Sequence, residues 1–348
     1  MKYLKYMLLF VPLSIVGYFL HWSSSLMFFM TCLSIIPLAG YLGEATEEIA
    51  CHTGPKFGGF LNATFGNATE LIIGIFALKA GLIDVVKASL AGSVLGNILL
   101  VLGCSILAGG LKHKELKFNA SLGNFTATML LFSVVGLTIP AVFTFSMPEN
   151  EITSKYESFS IIVGLILLLM YVVGMVYSFK TQSDLYGVEH AEDIEPKRSL
   201  ISSISILAIA TVFIAIESEM LVSSIEPMTK SLGIPEMFVG LILIPIVGNA
   251  AEHSTAVIMA LKNKMDIAIE ISVGSCLQIS MFVVPLLVIV STFFTPMSIV
   301  FKPIELAIFG ASVLIANQIV SSGKTNWLEG LKLLSVYLIA AVGFFIIN

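Results

Sequence analysis

Apolar residues run along this chain in blocks of helical length, separated by short polar joints. The blocks cover 4–21, 24–50, 57–79, 83–110, 120–146, 156–179, 199–224, 235–261, 266–296, 301–320 and 327–347. About 20 consecutive apolar residues cross a bilayer as a helix, so the pattern predicts eleven transmembrane helices. Several blocks exceed that length. Tilt or a break would absorb the excess, and periodicity does not separate the two. The first block follows Lys2 and Lys5 as a signal peptide would. No small-x-small cleavage site precedes Trp22 and more spans follow, so it reads as a retained helix.

One joint is longer and acidic. Residues 181–198 carry Asp184, Glu189, Glu192, Asp193 and Glu195 and read as the linker between two halves. It is either a solvated connector or a short surface helix that attracts cations. With loops alternating sides, one side holds Lys2, Lys5, Lys56, Lys112, Lys114, Lys117, Lys180, Lys197, Arg198, Lys262, Lys264 and Lys324. The other side has only Lys79, Lys87, Lys155, Lys230 and Lys302, with Lys332 just inside the last helix. Cytoplasmic loops carry the excess of Lys and Arg. That puts the N-terminus and the linker in the cytoplasm.

Composition sharpens this picture. The chain is 57% hydrophobic and 12% charged, with a mean hydropathy of +0.98. A soluble domain carries about 25% charged residues. Little chain is left for a large soluble domain, and a net charge of −5 without a basic run excludes a nucleic-acid partner. Cys32, Cys51, Cys104 and Cys276 are scattered beside or within apolar blocks, without metal-ligand spacing. They read as small apolar residues rather than as ligands or disulfides.

The chain repeats itself. At an offset of 182, Gly66, Asn67, Ala68 and Glu70 fall on Gly248, Asn249, Ala250 and Glu252. Asp84, Gly92, Ser93 and Leu95 fall on Asp266, Gly274, Ser275 and Leu277, and a one-residue adjustment pairs Ala77-Leu78-Lys79 with Ala260-Leu261-Lys262. Predicted helices two to six therefore match seven to eleven. Five is odd, so the second copy enters the membrane from the opposite side. Inverted repeats are a transporter design with the site at the repeat interface near the midplane. The expected fold is an all-α polytopic membrane protein with two inverted five-helix repeats after one extra helix. Its parts are the extra helix (1–22), the first repeat (23–180), the linker (181–198) and the second repeat (199–348).

Each copy centres on a carboxylate inside an apolar block. A charge there costs about 2.5–3.5 kcal/mol on insertion scales, which marks Glu70 and Glu252 as functional. Gly66-Asn67 and Gly248-Asn249 precede them in mid-span, where glycine weakens a helix. Either helices pack closely there, or the helix breaks and offers carbonyls to a cation. Pro245 strengthens the break in the second copy. Calcium takes about six to eight oxygen ligands. Glu70 and Glu252, carbonyls near Gly66 and Gly248, and the polar groups of Asn67, Asn249, Ser93, Asn97, Ser275 and Gln278 are the candidate metal ligands. Each polar group could instead hold a water or bond between helices.

Two carboxylates in a low dielectric also suit protons. Repulsion and desolvation favour their neutral forms when the site is empty, and a divalent cation expels the protons. The pair should titrate as a unit. His253, next to Glu252, is a hydrogen-bonding partner or a proton relay; the first copy has Leu71 there. Glu44 and Glu48 lie one turn apart on one face, and Glu44 matches Glu226 at the repeat offset. With Glu219 on predicted helix seven, which also carries Glu217, they form a candidate ion-access path or a set of interfacial charges.

The motif Gly66-Asn67-Ala68-Thr69-Glu70-Leu71-Ile72, followed by Ala77-Leu78-Lys79 and Gly92-Ser93-Val94-Leu95-Gly96-Asn97, resembles the first repeat motif of calcium/proton antiporters, within the calcium/cation antiporter superfamily. Gly248-Asn249-Ala250-Ala251-Glu252-His253, Lys262-Asn263-Lys264-Met265-Asp266 and Gly274-Ser275-Cys276-Leu277-Gln278-Ile279 resemble the second. The resemblance spans nearly the whole chain. It implies Ca2+ as transported substrate, H+ as counter-ion, no organic cofactor, and calcium ligation by Glu70 and Glu252 with carbonyls, Asn97 and Gln278. It implies that helices two and seven slide to alternate access. It also implies a multi-pass protein of a prokaryotic plasma membrane, without an autoinhibitory N-terminal extension, and a homotrimer as in relatives.

Sodium/calcium exchangers share the expected fold, but their motifs place a proline before the repeat glutamate, where Ala68-Thr69 and Ala250-Ala251 stand here. A passive cation channel is a second alternative. An intramembrane enzyme is not expected: the chain has no H-E-x-x-H pair and no nucleophile motif.

Overall fold

The computed structural model of the chain describes residues 4–54, 58, 61–62, 64–144, 152–181 and 196–347. The helices are α1 (Leu4–Phe19, with an irregular turn at 8–9), α2 (Ser24–Thr53), α3 (Ala68–Lys79), α4 (Ile83–His113), α5 (Ala120–Thr144) and α6 (Ile152–Thr181). They continue as α7 (Leu200–Leu232), α8 (Glu236–Gly248), α9 (Ala250–Leu261), α10 (Met265–Ser291), α11 (Pro303–Ser321) and α12 (Trp327–Ile347). Lys2, Lys56 and the acidic linker residues Asp184, Glu189, Glu192, Asp193 and Glu195 lie outside the described residues.

Eight described helices are long and apolar enough to cross a membrane, and the bent pair α8–α9 makes nine. Two of the eleven predicted spans are not in that number. Helix α1 is short. The block 57–79 includes undescribed residues and is helical without interruption only over the 12 residues of α3. The expectation of an all-α chain needs one correction. Strands β1 (Glu115–Lys117) and β2 (Lys324–Asn326) pair antiparallel, with Leu116 opposite Thr325. Three residues in a polar joint leave no hydrophobic period to read, and the pairing satisfies backbone groups that no helix serves.

The repeat is visible in the elements themselves. Helices α3 and α9 begin and end 182 residues apart, and α4 and α10 begin 182 residues apart. Both α4 and α10 widen into a π-helical stretch, at Gly96–Val101 and Ile279–Val283, and α8 has a third at Val239–Leu243. Pro245 and Pro285 follow two of these stretches by two residues. A proline removes one i→i−4 bond, and the adjoining turn adjusts by widening, a deformation frequent at functional sites.

Helices α4 and α10 form the centre: 72% and 61% of their most apolar windows are buried, against 22% for α6. Exposed Ile162, Leu165, Ile166, Leu169, Val172 and Val176 make α6 a lipid-facing wall. Lipid tails remove the hydrophobic drive between helices, so small residues and close backbones must hold the centre together. Gly92 of α4 does this. A β-carbon on it would stand 2.1 Å from the Leu241 carbonyl oxygen in the π stretch of α8. Two long helices, α2 and α7, pack along each other.

Polar joints gather in two sets. In one, β1 pairs with β2, Lys112 Nζ and His113 Nε2 reach Leu261 O at 3.0 and 2.9 Å, and Asn119 N donates to Asp266 Oδ1 at 2.7 Å. At the junction of α2 and α7, the Glu48 carboxylate accepts from the backbone N–H of Lys197 and Arg198, at 2.9 and 3.3 Å. Elsewhere Lys87 Nζ donates to Ser298 Oγ and Val300 O, at 3.0 and 2.8 Å, and Lys79 faces Glu219.

Candidate ion-binding site

Glu70 stands in the first turn of α3 and Glu252 in the first turn of α9. Each helix starts at a break. The axis bends by 62° between α8 and α9, with Asn249 at the bend. The matching Asn67 has nearly the same backbone, φ −111° and ψ 29° against φ −95° and ψ 9°. The predicted break is therefore present in both copies. A carboxylate in the first helical turn sits at the positive end of the dipole. The preceding segment ends in carbonyls: Asn62 O accepts from Gly66 N–H and Pro245 O from Asn249 N–H, at 2.8 and 3.0 Å.

Asparagine is a strong N-cap residue, yet neither asparagine caps its own helix by side chain. Both reach into the other repeat. Asn67 Nδ2 donates to Gln278 Oε1 at 2.6 Å, and Asn67 Oδ1 accepts from Ser275 Oγ at 2.9 Å. Asn97 Nδ2 donates to the same Ser275 oxygen at 3.0 Å. On the other side Asn249 Nδ2 donates to Ser93 Oγ at 3.2 Å and to Pro245 O at 3.0 Å. The side chains of Asn67, Asn97, Asn249, Ser93 and Ser275 are buried. The six polar residues expected around the carboxylates thus join in cross-repeat hydrogen bonds.

The glycines are there for closeness. A β-carbon on Gly66 would lie 2.9 Å from Gln278 Oε1, and one on Gly248 would lie 2.7 Å from Glu70 Oε1. The Glu70 carboxylate therefore rests against the backbone of the second repeat. The Glu252 carboxylate lies within electrostatic reach of Glu70. Four buried acceptors, Glu70 Oε1, Glu252 Oε2, Asn97 Oδ1 and Asn249 Oδ1, have no protein partner. Buried acceptors are normally satisfied, and exceptions call for an explanation. His253 Nε2 is likewise buried and unpartnered beside Glu252. Among the described residues no three His, Cys, Asp or Glu gather as a metal cluster. An ion here would rely on two carboxylates and neutral oxygens.

The four carboxylates of the candidate access path divide between the two ends of the α2–α7 pair. Glu44 pairs with Arg198 at 3.4 Å, beside Glu48 and its two backbone bonds, and His52 Nε2 lies 2.7 Å from Arg198 O. These three side chains grip the entry of α7. Glu219 faces Lys79 at 3.7 Å and Glu226 faces Lys230 at 2.5 Å, both largely exposed. Glu217 lies on the same helix, outside the candidate access path. It is fully buried against Ser14 and Ser34. Its spacing carried the signal: two residues from Glu219 is about 200° on a helix, whereas Glu219 and Glu226 share a face.

Fold and site together define a polytopic helical membrane protein with a centre of acidic and amide oxygens between two matched broken helices. The family model described as sodium/calcium exchanger protein matches residues 23–180 and 202–346. The chain is 46% identical to the Ca2+/H+ antiporter ChaA of Bacillus subtilis (strain 168), covering 97% of both chains. It is 45% identical to a Ca2+/H+ antiporter of Aphanothece halophytica, over 97% of this chain and 95% of that one. A crystal structure of the Ca2+/H+ antiporter protein YfkE shares its fold with a TM-score of 0.86 at 42% identity, covering 99% of each chain. The chain belongs to the sodium/calcium exchanger protein family and, within it, to the calcium/proton antiporters.

Proposed function

We propose that this protein exchanges Ca2+ for H+ across a membrane, with both ions competing for Glu70 and Glu252. The observation that carries the site is the placement of these carboxylates at matched helix starts, with four buried oxygens left without protein partners. Two carboxylates carry two negative charges. One calcium ion or two protons neutralise them equally, so either load can cross a low-dielectric barrier. Glu70, Glu252, Asn97, Asn249 and carbonyls near Gly66 and Gly248 supply hard oxygens to calcium. Asn67, Gln278, Ser93 and Ser275 hold these groups in register and ligate through water or directly. His253 relays protons to Glu252.

The eleven-span topology with inverted halves belongs to this reading. It is supported by the matched ends of α3 and α9 and by the pairing of joints that the lysine bias assigns to one side: β1 with β2, and the end of α4 with the end of α9. The N-terminus is then cytoplasmic, in a prokaryotic plasma membrane. Helices α2 and α7 slide to alternate access, and the chain is a transporter without enzymatic chemistry. A homotrimer is the expected assembly.

Calcium binding to purified protein, followed as a function of pH, tests the site. Binding should weaken as pH falls and vanish in Glu70→Gln and Glu252→Gln. Unchanged binding in either variant would remove that residue from the site. The family description keeps sodium as the competing counter-ion, and replacing protons with sodium in the same assay separates the two.

A further inference from the structure

Glu217 is a third carboxylate inside the bundle, and the exchange proposed at Glu70 and Glu252 makes no use of it. It lies in α7 with no exposed surface. Its neighbours are the extra helix and α2. Glu217 Oε1 is 2.5 Å from Ser14 Oγ, and Ser14 Oγ is also 2.7 Å from Val11 O. Ser34 Oγ lies 3.3 Å from Ser14 Oγ and 2.9 Å from Met30 O. Glu217 Oε2 is buried without a partner. Val11 and Ile214, one turn before Ser14 and Glu217, belong to an apolar cluster with Leu38, Leu42, Ala68 and Ala210.

The helices packed against α7 carry other charged groups. Helix α1 carries Lys5, and α2 carries Glu44 and Glu48, which hold 197–198, together with Glu47 and His52. Helix α3 carries Glu70 and Lys79, and α8 carries Glu236. Ser14, with Ser34 behind it, is the polar neighbour of Glu217.

A serine hydroxyl donates one hydrogen and accepts at two lone pairs. The two short contacts of Ser14 are both to acceptor oxygens. If Glu217 is ionised, the single Ser14 hydrogen serves one contact and the other is oxygen against oxygen. If Glu217 is neutral, its hydroxyl donates to Ser14 Oγ, Ser14 donates to Val11 O, and Ser34 donates to Met30 O. Each of the contacts at 2.9 Å or less then holds one hydrogen, and only the 3.3 Å approach of Ser34 to Ser14 is left without one. The unpartnered Oε2 becomes a carbonyl oxygen rather than an anion, which is far less costly to bury.

We propose that Glu217 is a proton-binding site separate from the central pair, whose neutral form holds α1 and α2 against α7 and whose deprotonation arrests transport. The proposal rests on the exchange reading only for its activity readout. A charge appearing among α1, α2 and α7 would disrupt the packing on which any sliding of α2 and α7 depends.

Infrared spectroscopy and calcium flux on the same reconstituted protein test this. At neutral pH, the wild-type-minus-Glu217→Gln difference should contain one protonated-carboxyl C=O stretch. Glu217→Gln should transport calcium at neutral pH and keep doing so about one pH unit further into the alkaline range than wild type. Ser14→Ala, which removes the acceptor of that proton, should move the alkaline limit the other way. Absence of the carboxyl band from the difference spectrum would overturn the site. Alkaline limits unmoved in both variants would overturn its role in transport. So would loss of flux at every pH in Glu217→Gln protein that still binds calcium. If wild-type protein shows no proton-coupled flux, the exchange reading fails by itself, and the infrared band still decides the proton on Glu217.

Discussion

Glu70 Oε1 lies 2.7 Å from the point where a β-carbon on residue 248 would stand. The carboxylate of one repeat occupies the side-chain space of a glycine in the other. Gly248→Ala should therefore push Glu70 aside without adding polarity or charge. The apparent KM for calcium is expected to rise at least about tenfold, equivalent to about 1.4 kcal/mol, at unchanged expression. Flux against calcium concentration measures it, and an unchanged KM would mean that Glu70 moves freely.

Glu70→Gln and Glu252→Gln keep volume and lose charge. Each leaves one carboxylate where two balance a divalent ion. Exchange should fall to background in both, measured as calcium uptake at wild-type protein level. Normal uptake in either variant contradicts a shared site.

Ser275 and Ser93 occupy equivalent repeat positions but hold unequal numbers of partners. Removing the Ser275 hydroxyl strands Asn67 Oδ1 and Asn97 Nδ2, whereas Asn249 Nδ2 keeps Pro245 O when Ser93 is lost. A buried polar group without a partner costs about 1–3 kcal/mol. Ser275→Ala should therefore lower the thermal unfolding temperature in detergent clearly more than Ser93→Ala. Equal shifts would mean that the cross-repeat bonds are not formed.

Glu48 accepts the backbone N–H groups of Lys197 and Arg198. Glu48→Ala should release them, and hydrogen exchange at these two amides should accelerate. The KM for calcium should stay within about twofold, since the effect of a remote change on an independent site is small. A large rise in KM would return Glu48 to an ion-access role.

The architecture was legible where its physics is local. Transfer of apolar residues to lipid needs no knowledge of partners, and so nine of the eleven predicted blocks, those that the described helices match, could be read from single segments, along with the two carboxylates. The Gly-Asn breaks were legible because glycine is weak and asparagine strong at a helix boundary. What the asparagines do was not. Asn67 and Asn249 reach across the molecule instead of capping, and that requires knowing which helices meet. The pairing of Leu116 with Thr325 was hidden for the same reason. Glu217 was visible as an acid on the seventh predicted helix. Its opposition to Glu219 and Glu226 follows from helical period alone, and only packing against Ser14 distinguishes the buried side from the exposed one.

Competition of two protons with one calcium ion requires that the apparent calcium affinity fall roughly hundredfold for each unit of acidification once the pH lies below the range in which both carboxylates titrate. The most direct measurement follows calcium and luminal pH together in sealed liposomes under an imposed pH gradient without sodium. Calcium should move in the direction opposite to protons and reverse when the gradient is reversed, and neither flux should occur in Glu70→Gln or Glu252→Gln. Calcium movement indifferent to the pH gradient, or dependent on added sodium, would contradict proton exchange at this pair.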